Sequence, residues 1–228
     1  MVAFTYKDLN ILYEDNHLLV IEKPVNIPMQ EDSSKDIDLL TLCKEYLKVR
    51  YQKPGNVYCG LVHRLDRPVG GVCVFAKTSK AASRLSSQIQ KNTFKKEYQA
   101  IVCGKTKEND TLIDTLYKDT KTNKVSVVNE NHKQAKKAIL SYTRLAYQED
   151  YSLVKIDLET GRSHQIRVQF SSRAYPLWGD QRYNPNAVVG QQIALWATKL
   201  TFEHPTTKET ISFSSQAPKT KLWTLFEG

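Results

Sequence analysis

Apolar positions along this chain follow two spacings, and they switch between them several times. His17-Leu18-Leu19-Val20-Ile21-Glu22 is a short, nearly continuous apolar run, which predicts a strand ending at Lys23-Pro24. Leu39, Leu40, Cys43, Tyr46 and Leu47 recur at helical spacing and predict an amphipathic helix over residues 38–51, broken by Pro54-Gly55. Val72-Cys73-Val74-Phe75-Ala76 is β-branched, aromatic and apolar throughout, as expected of a strand covered on both faces. Thr78 or Ser79 can cap the helix that follows, where Ala81, Leu85 and Ile89 form one stripe and Lys80, Arg84 and Lys91 lie outside it. Glu97 to Val102 predicts a further strand, stopped at Gly104.

Residues 105–137 lose this patterning. They are polar and lysine-rich, with a hairpin expected around Lys118 to Val128. Such a stretch is either a solvated surface insertion or a face turned toward a nucleic acid. Patterning returns with strands expected at 138–147 and 152–158, a short helix at 163–172, and strands at 194–203 and 210–214. Strands outnumber helices and do not alternate regularly with them. The expected class is therefore α+β, with a central mixed or antiparallel sheet flanked by helices. No linker divides residues 1–228, so a single domain is expected.

Composition narrows the class. With 40% hydrophobic and 25% charged residues among 228, general disorder is excluded. The longest apolar run, Val72 to Ala76, is far shorter than the ~20 residues that span a bilayer. The N-terminal residues lack the layout of a signal peptide, so a cytoplasmic location away from membranes is expected. Cys43, Cys59, Cys73 and Cys103 form no CxxC pair, and the five histidines form no HxxxH pair. No metal site is expected, and without a P-loop or a Rossmann glycine fingerprint neither is a nucleotide cofactor. The net charge of +9 suits a polyanionic partner, or else merely solvates the protein.

Two segments concentrate chemistry. His63-Arg64-Leu65-Asp66-Arg67-Pro68-Val69-Gly70-Gly71 precedes the buried strand and gathers charged groups beside a Gly-Gly pair, which permits close approach of backbone or ligand. Asp66 there is either a reactive carboxylate or a turn cap paired with a neighbouring arginine. In Gly161-Arg162-Ser163-His164-Gln165-Ile166-Arg167, glycine then serine announces a helix start, with Arg162 and Arg167 around it. Cations at that end are disfavoured by about 0.3–1 kcal/mol each. Either an anion lies nearby, a phosphate or a carboxylate, or the arginines are exposed and tolerate the cost.

The string HRLDRPVGGVCVFAK resembles the HRLDxxTSGxxxxAK signature of the RluA-type pseudouridine synthases. Further segments match the same family in order. KEYQAIVCG is similar to its KxYxAxVxG strand, GRSHQIRVQ to GRxHQIRxH, and PLWGDQRY to PIxGDxxYG. The opening ILYEDNHLLVIEKP and the closing stretch from Ala194-Leu195 to His204-Pro205 also resemble the family, so nearly the whole chain is covered.

The resemblance implies a pseudouridine-synthase-like catalytic domain with a basic cleft, acting on ribosomal or transfer RNA. It implies Asp66 as nucleophile, paired with Arg167, and Tyr98 stacked on the uracil with its hydroxyl near the C5 proton. Attack at C1′ and attack at C6 both remain open. Arg64 would enter the gap left by the flipped base, and His63, Arg162, His164 and Gln165 would contact RNA. Breaking N1–C1′ and joining C5 to C1′ involves no redox step or group transfer, so no cofactor is implied. The motif begins near residue 11, so no N-terminal S4-type domain is expected, and the protein is expected to be a monomer.

Val69 and Gly70 stand where the pattern has Thr-Ser, and Gln169 where it has His. These departures bear on local hydrogen bonds and on substrate subgroup. Two other classes compete: a non-catalytic RNA-binding factor, whose binding would ignore Asp66, and a glycosidase-like hydrolase. The hydrolase would need a second carboxylate paired with Asp66, and no convincing one stands out in the sequence.

Overall fold

The computed structural model describes residues 4–220 and 222–226. Eleven strands and three α-helices occur among them, so the α+β class expected from the pattern holds. Their contacts divide into two compact units, Met1–Lys95 with Ala197–Ser215, and Lys96–Trp196 with Gln216–Gly228.

The first unit is built on β1 (Asn10–Glu14), β2 (Leu18–Lys23), β3 (Gly60–Leu61), β4 (Gly70–Ala76), most of β10 (Leu195–Glu203) and β11 (Thr210–Ser214). Strand order runs β1-β2-β4-β10, with β11 on β10 and β3 on β4. β2 lies antiparallel to β4 in the register Leu18↔Ala76 to Lys23↔Gly71. Every residue of β4 is buried, as its unbroken apolar run requires. On one face Val72, Val74 and Ala76 join Leu18, Val20, Leu200 and Phe202 in a core closed by Ala81 and Leu85 of α2 (Ser79–Gln90). Phe94 stacks on Phe202 with ring centroids 4.8 Å apart. The caps are those of short polar side chains: Thr78 Oγ1 accepts from Ala81 N to start α2. The Asp38 carboxylate accepts from Thr41 N to start α1 (Leu39–Arg50).

The second unit is a wholly antiparallel sheet in the order β5-β9-β8-β6-β7. Its strands are β5 (Lys95–Cys103), β6 (Asn109–Asp119), β7 (Lys124–Val128), β8 (Lys136–Gln148) and β9 (Tyr151–Leu158). The hairpin expected near Lys118 to Val128 is the β6–β7 hairpin. The polar stretch around it, however, also contains the eleven residues of β6. Helix α3 (Gln165–Ser171) sets Val168 against Leu116, Val125 and Ala138, and Phe170 against Tyr142 at 5.0 Å. Ser163 does not begin this helix. Its N-cap is His164, in the left-handed region at φ 51° and without a side-chain capping bond.

Candidate active site

In the first unit the loop between β3 and β4 carries His63 to Val69. Leu65 and Val69 are buried and anchor it, while Arg64, just before Leu65, is exposed. Val69 N donates to Asp66 O at 3.0 Å, which makes Asp66 the first residue of a tight turn through Pro68. The turn is held from below by a side chain the sequence pattern did not single out. Lys23, fully buried at the end of β2, donates from Nζ to the carbonyls of Pro24 (3.0 Å), Arg67 (3.0 Å) and Val69 (2.7 Å). Burial holds its ammonium down at about 8, against the partial support of the Cys73 and Asp66 charges. Lys23-Pro24 was legible only as the end of a strand.

Arg67 faces away from this turn. It donates to Asn26 O and Ser34 Oγ and forms an ion pair with Asp36, with Asp32 a further 3.8 Å partner. The arginine next to Asp66 is thus committed to the segment 26–36. His63 is likewise turned inward: its Nε2 accepts from Val74 N at 3.2 Å and its ring lies 5.6 Å from Phe94. The Arg64 guanidinium, by contrast, makes no hydrogen bond or ion pair among the described residues. The Gly-Gly pair serves backbone approach. Gly71 sits at φ +117°, and a Cβ there would stand 2.2 Å from Ala197 O on the neighbouring strand. Val69 and Gly70, in place of Thr-Ser, are both buried and bring no hydroxyl. The carbonyl of Val69 is fixed instead by Lys23.

In the second unit, α3 directs Arg167 into the interior, where Asp180 receives it bidentately: Nε donates to Oδ2 at 2.8 Å and Nη2 to Oδ1 at 2.6 Å. Both side chains are buried, and Oδ1 also accepts from the backbone N of Arg182 and Tyr183. The Arg167 guanidinium lies 5.2 Å from the Tyr183 ring centroid. Tyr183 hydroxyl in turn contacts His164 Nδ1 at 2.7 Å and accepts from Val125 N. The GRSHQIR and PLWGDQRY segments therefore close into one cluster. The anion anticipated from arginines at a helix start is present as a carboxylate, Asp180. Its motif is visible in the sequence, but nothing local to Asp180 marks it as the partner of Arg167.

Gln165 has an internal role in place of the RNA contact expected of it. It is buried, its Oε1 accepts from Thr160 Oγ1 and Arg162 N, and its Nε2 donates to Ile139 O and Gln169 Oε1. Its amide capacity is spent within the protein. Gln169, at the family's histidine position, continues this chain by donating to the Asp114 carboxylate at 2.7 Å. Arg162 is exposed, with Nε donating to Lys137 O at 2.9 Å. Tyr98 lies on the buried face of β5 with Lys96 and Ala100, opposite Ile156 of β9.

This geometry offers a braced turn presenting a half-buried carboxylate, and a separately braced arginine and tyrosine. Comparison with known proteins gives it a chemical context. Residues 17–172 match the family model described as RNA pseudouridylate synthase. Over 219 residues the chain is 35% identical to the Bacillus subtilis RNA pseudouridine synthase YhcT, with 93% of this chain and 70% of that protein aligned. It is 31% identical over 226 residues to ribosomal large subunit pseudouridine synthase D of Pasteurella multocida, covering 92% and 68%. The fold matches a solved structure of human RNA pseudouridylate synthase domain containing 4 with a TM-score of 0.76 at 21% identity, covering 92% and 89%. The chain belongs to the RNA pseudouridine synthase family of the RluA type, isomerases that convert uridine in RNA to pseudouridine.

Proposed function

We propose that the chain modifies particular uridines in ribosomal or transfer RNA, acting as a monomer in the cytoplasm with Asp66 as nucleophile. Support for the ribosomal alternative comes from relatives named as large-subunit synthases, such as that of Pasteurella multocida. The observation that carries the assignment of roles is the turn at Asp66. Lys23 and the Val69–Asp66 hydrogen bond fix its backbone from within, so the carboxylate is presented by a rigid support.

The ionised Asp66 carboxylate attacks C1′ or C6 of the target uridine, and the N1–C1′ bond breaks. The uracil turns, C5 bonds to C1′, the bond to Asp66 breaks to regenerate the carboxylate, and C5 loses its proton while N1 gains one. Asp180 holds Arg167 through Nε and Nη2, and Arg167 is the cation that acts with Asp66 in the reaction. Tyr98 supplies the platform for the uracil, and its hydroxyl assists loss of the C5 proton. Arg64, exposed and uncommitted, fills the gap left by the flipped base, because a planar guanidinium stacks and hydrogen-bonds together. Arg162 and His164 are the remaining candidates for contacts to the RNA.

The test is pseudouridine mapping on RNA from a deletion strain, rescued by wild type, Asp66→Ala or Tyr98→Phe. Wild type should restore specific positions and Asp66→Ala none. Tyr98→Phe should bind RNA normally yet lose roughly 10²–10⁴-fold in turnover. Restoration by Asp66→Ala would overturn the nucleophile assignment, and full turnover by Tyr98→Phe would reduce Tyr98 to a platform.

A further inference from the structure

Lys96 opens β5 on the same buried strand face as Tyr98, two residues away. It is only 7% exposed, yet its ammonium makes no hydrogen bond or ion pair among the described residues. The acid next to it, Glu97, points to the opposite face of the strand and pairs with Lys155 at 2.8 Å. What lies beside Lys96 is a second cation. Arg162 adds to the effect of burial, and together they bring the Lys96 ammonium down to about 8. The glycine before Arg162 accommodates the arrangement, since a Cβ at Gly161 would stand 3.3 Å from Lys96 Nζ. Gly161 and Arg162 are themselves exposed, so Nζ ends at the edge of the protein rather than deep within it.

A buried cation that faces a second cation and lacks a carboxylate is costly in the free protein. The arrangement is balanced when a full negative charge enters between the two. An uncharged carbonyl of uracil would not supply that charge. Lys96 and Tyr98 share one strand face two residues apart, about 6.6 Å along the backbone, so the cation and the proposed platform for the base belong to the same face.

We propose that Lys96, with Arg162 beside it, holds one of the two RNA phosphates flanking the target uridine. Lys96 is thereby a substrate-positioning residue outside the Asp66, Tyr98 and Arg167 set. The inference rests on the proposed action on RNA and adds to it the group that fixes the target nucleotide's backbone.

The experiment uses the full chain and a defined RNA that the wild type converts. Lys96→Met should leave the thermal midpoint unchanged or higher, because a buried unpaired charge is removed. It should raise KM roughly 10- to 100-fold, as expected for loss of a charged hydrogen bond. It should also reduce the slope of log K against log salt by about one. Lys96→Arg should keep most of that slope. A methylphosphonate at one flanking position should impose the same loss on wild type and none further on Lys96→Met. An unchanged slope with Lys96→Met would overturn the proposal, as would methylphosphonate losses equal in both proteins. So would a lowered thermal midpoint with KM unaltered, which would mean an internal structural partner. A wild type that converts no uridine would overturn the RNA reading and this contact with it, and is recognised before any variant is compared.

Discussion

Lys23 shows how one buried group can set the geometry of a reactive loop. Its ammonium binds three carbonyls around the Asp66 turn, two of them in the turn itself. Its proton is held less tightly in the folded protein, at about 8, than in the unfolded chain, at the ordinary 10.5. Between those values the unfolded state carries more proton, so this group's contribution to stability rises with pH. Lys23→Met removes the three donors and should destabilise the protein. The deficit relative to wild type should widen from pH 8 to pH 10, when urea midpoints of the two are compared. A deficit that narrows over this window would contradict the assigned cause. The residue was invisible as a functional element in the sequence, where Lys-Pro marked only a strand end. The same holds for Asp180, whose bond to Arg167 joins positions thirteen residues apart that no local spacing connects. By contrast, the turn at Asp66 and the arginine awaiting an anion could be anticipated, because both depend on neighbours within a few residues.

At the level of elements, legibility followed burial on two faces. β4 and the two longer helices were plain because every apolar position has a local rhythm. β6 was hidden because it buries only Leu112 and Leu116, while Thr, Asp and Lys occupy much of the rest. β3, two residues long, is too short to carry any period. Glycines separate similarly by what surrounds them. Gly71→Ala would drive a Cβ into the β10 backbone at a positive φ, whereas at Gly190, φ +90°, nothing lies within 4 Å. Alanine at Gly190 should therefore cost only the backbone strain, about 1–2 kcal/mol. Alanine at Gly71 should cost well beyond that, because strands must separate. Thermal melts of the two variants give the comparison, and equal losses would show that β4 and β10 can part freely.

For the whole molecule, the relevant quantity is an excess of nine positive charges over 228 residues. If those charges serve RNA binding, log K should fall steeply and linearly with log salt, by about 0.7–0.9 per phosphate neutralised. A flat dependence would leave the charge as solvation alone. The class of fold followed from strand and helix counts, and the catalytic reading from motifs spread along the chain. The division of contacts into two units was not legible, because two of the three passages between them lie inside strands β5 and β10 and the third follows directly on β11.

That division has a bearing on how the protein is made. The first unit needs Ala197–Ser215 to supply β10 beside β4 and β11 beyond it, yet all of Lys96–Trp196 is translated in between. At ~5–20 residues per second, about a hundred intervening residues occupy the ribosome for roughly 5–20 s. During that interval β4, the most apolar strand, emerges with the edge that β10 will occupy still open. The antiparallel strands β5 to β9, contiguous in sequence, are all synthesised before β10. The first unit, although begun first, thus acquires β10 beside β4 only after all of β5 to β9 has been synthesised.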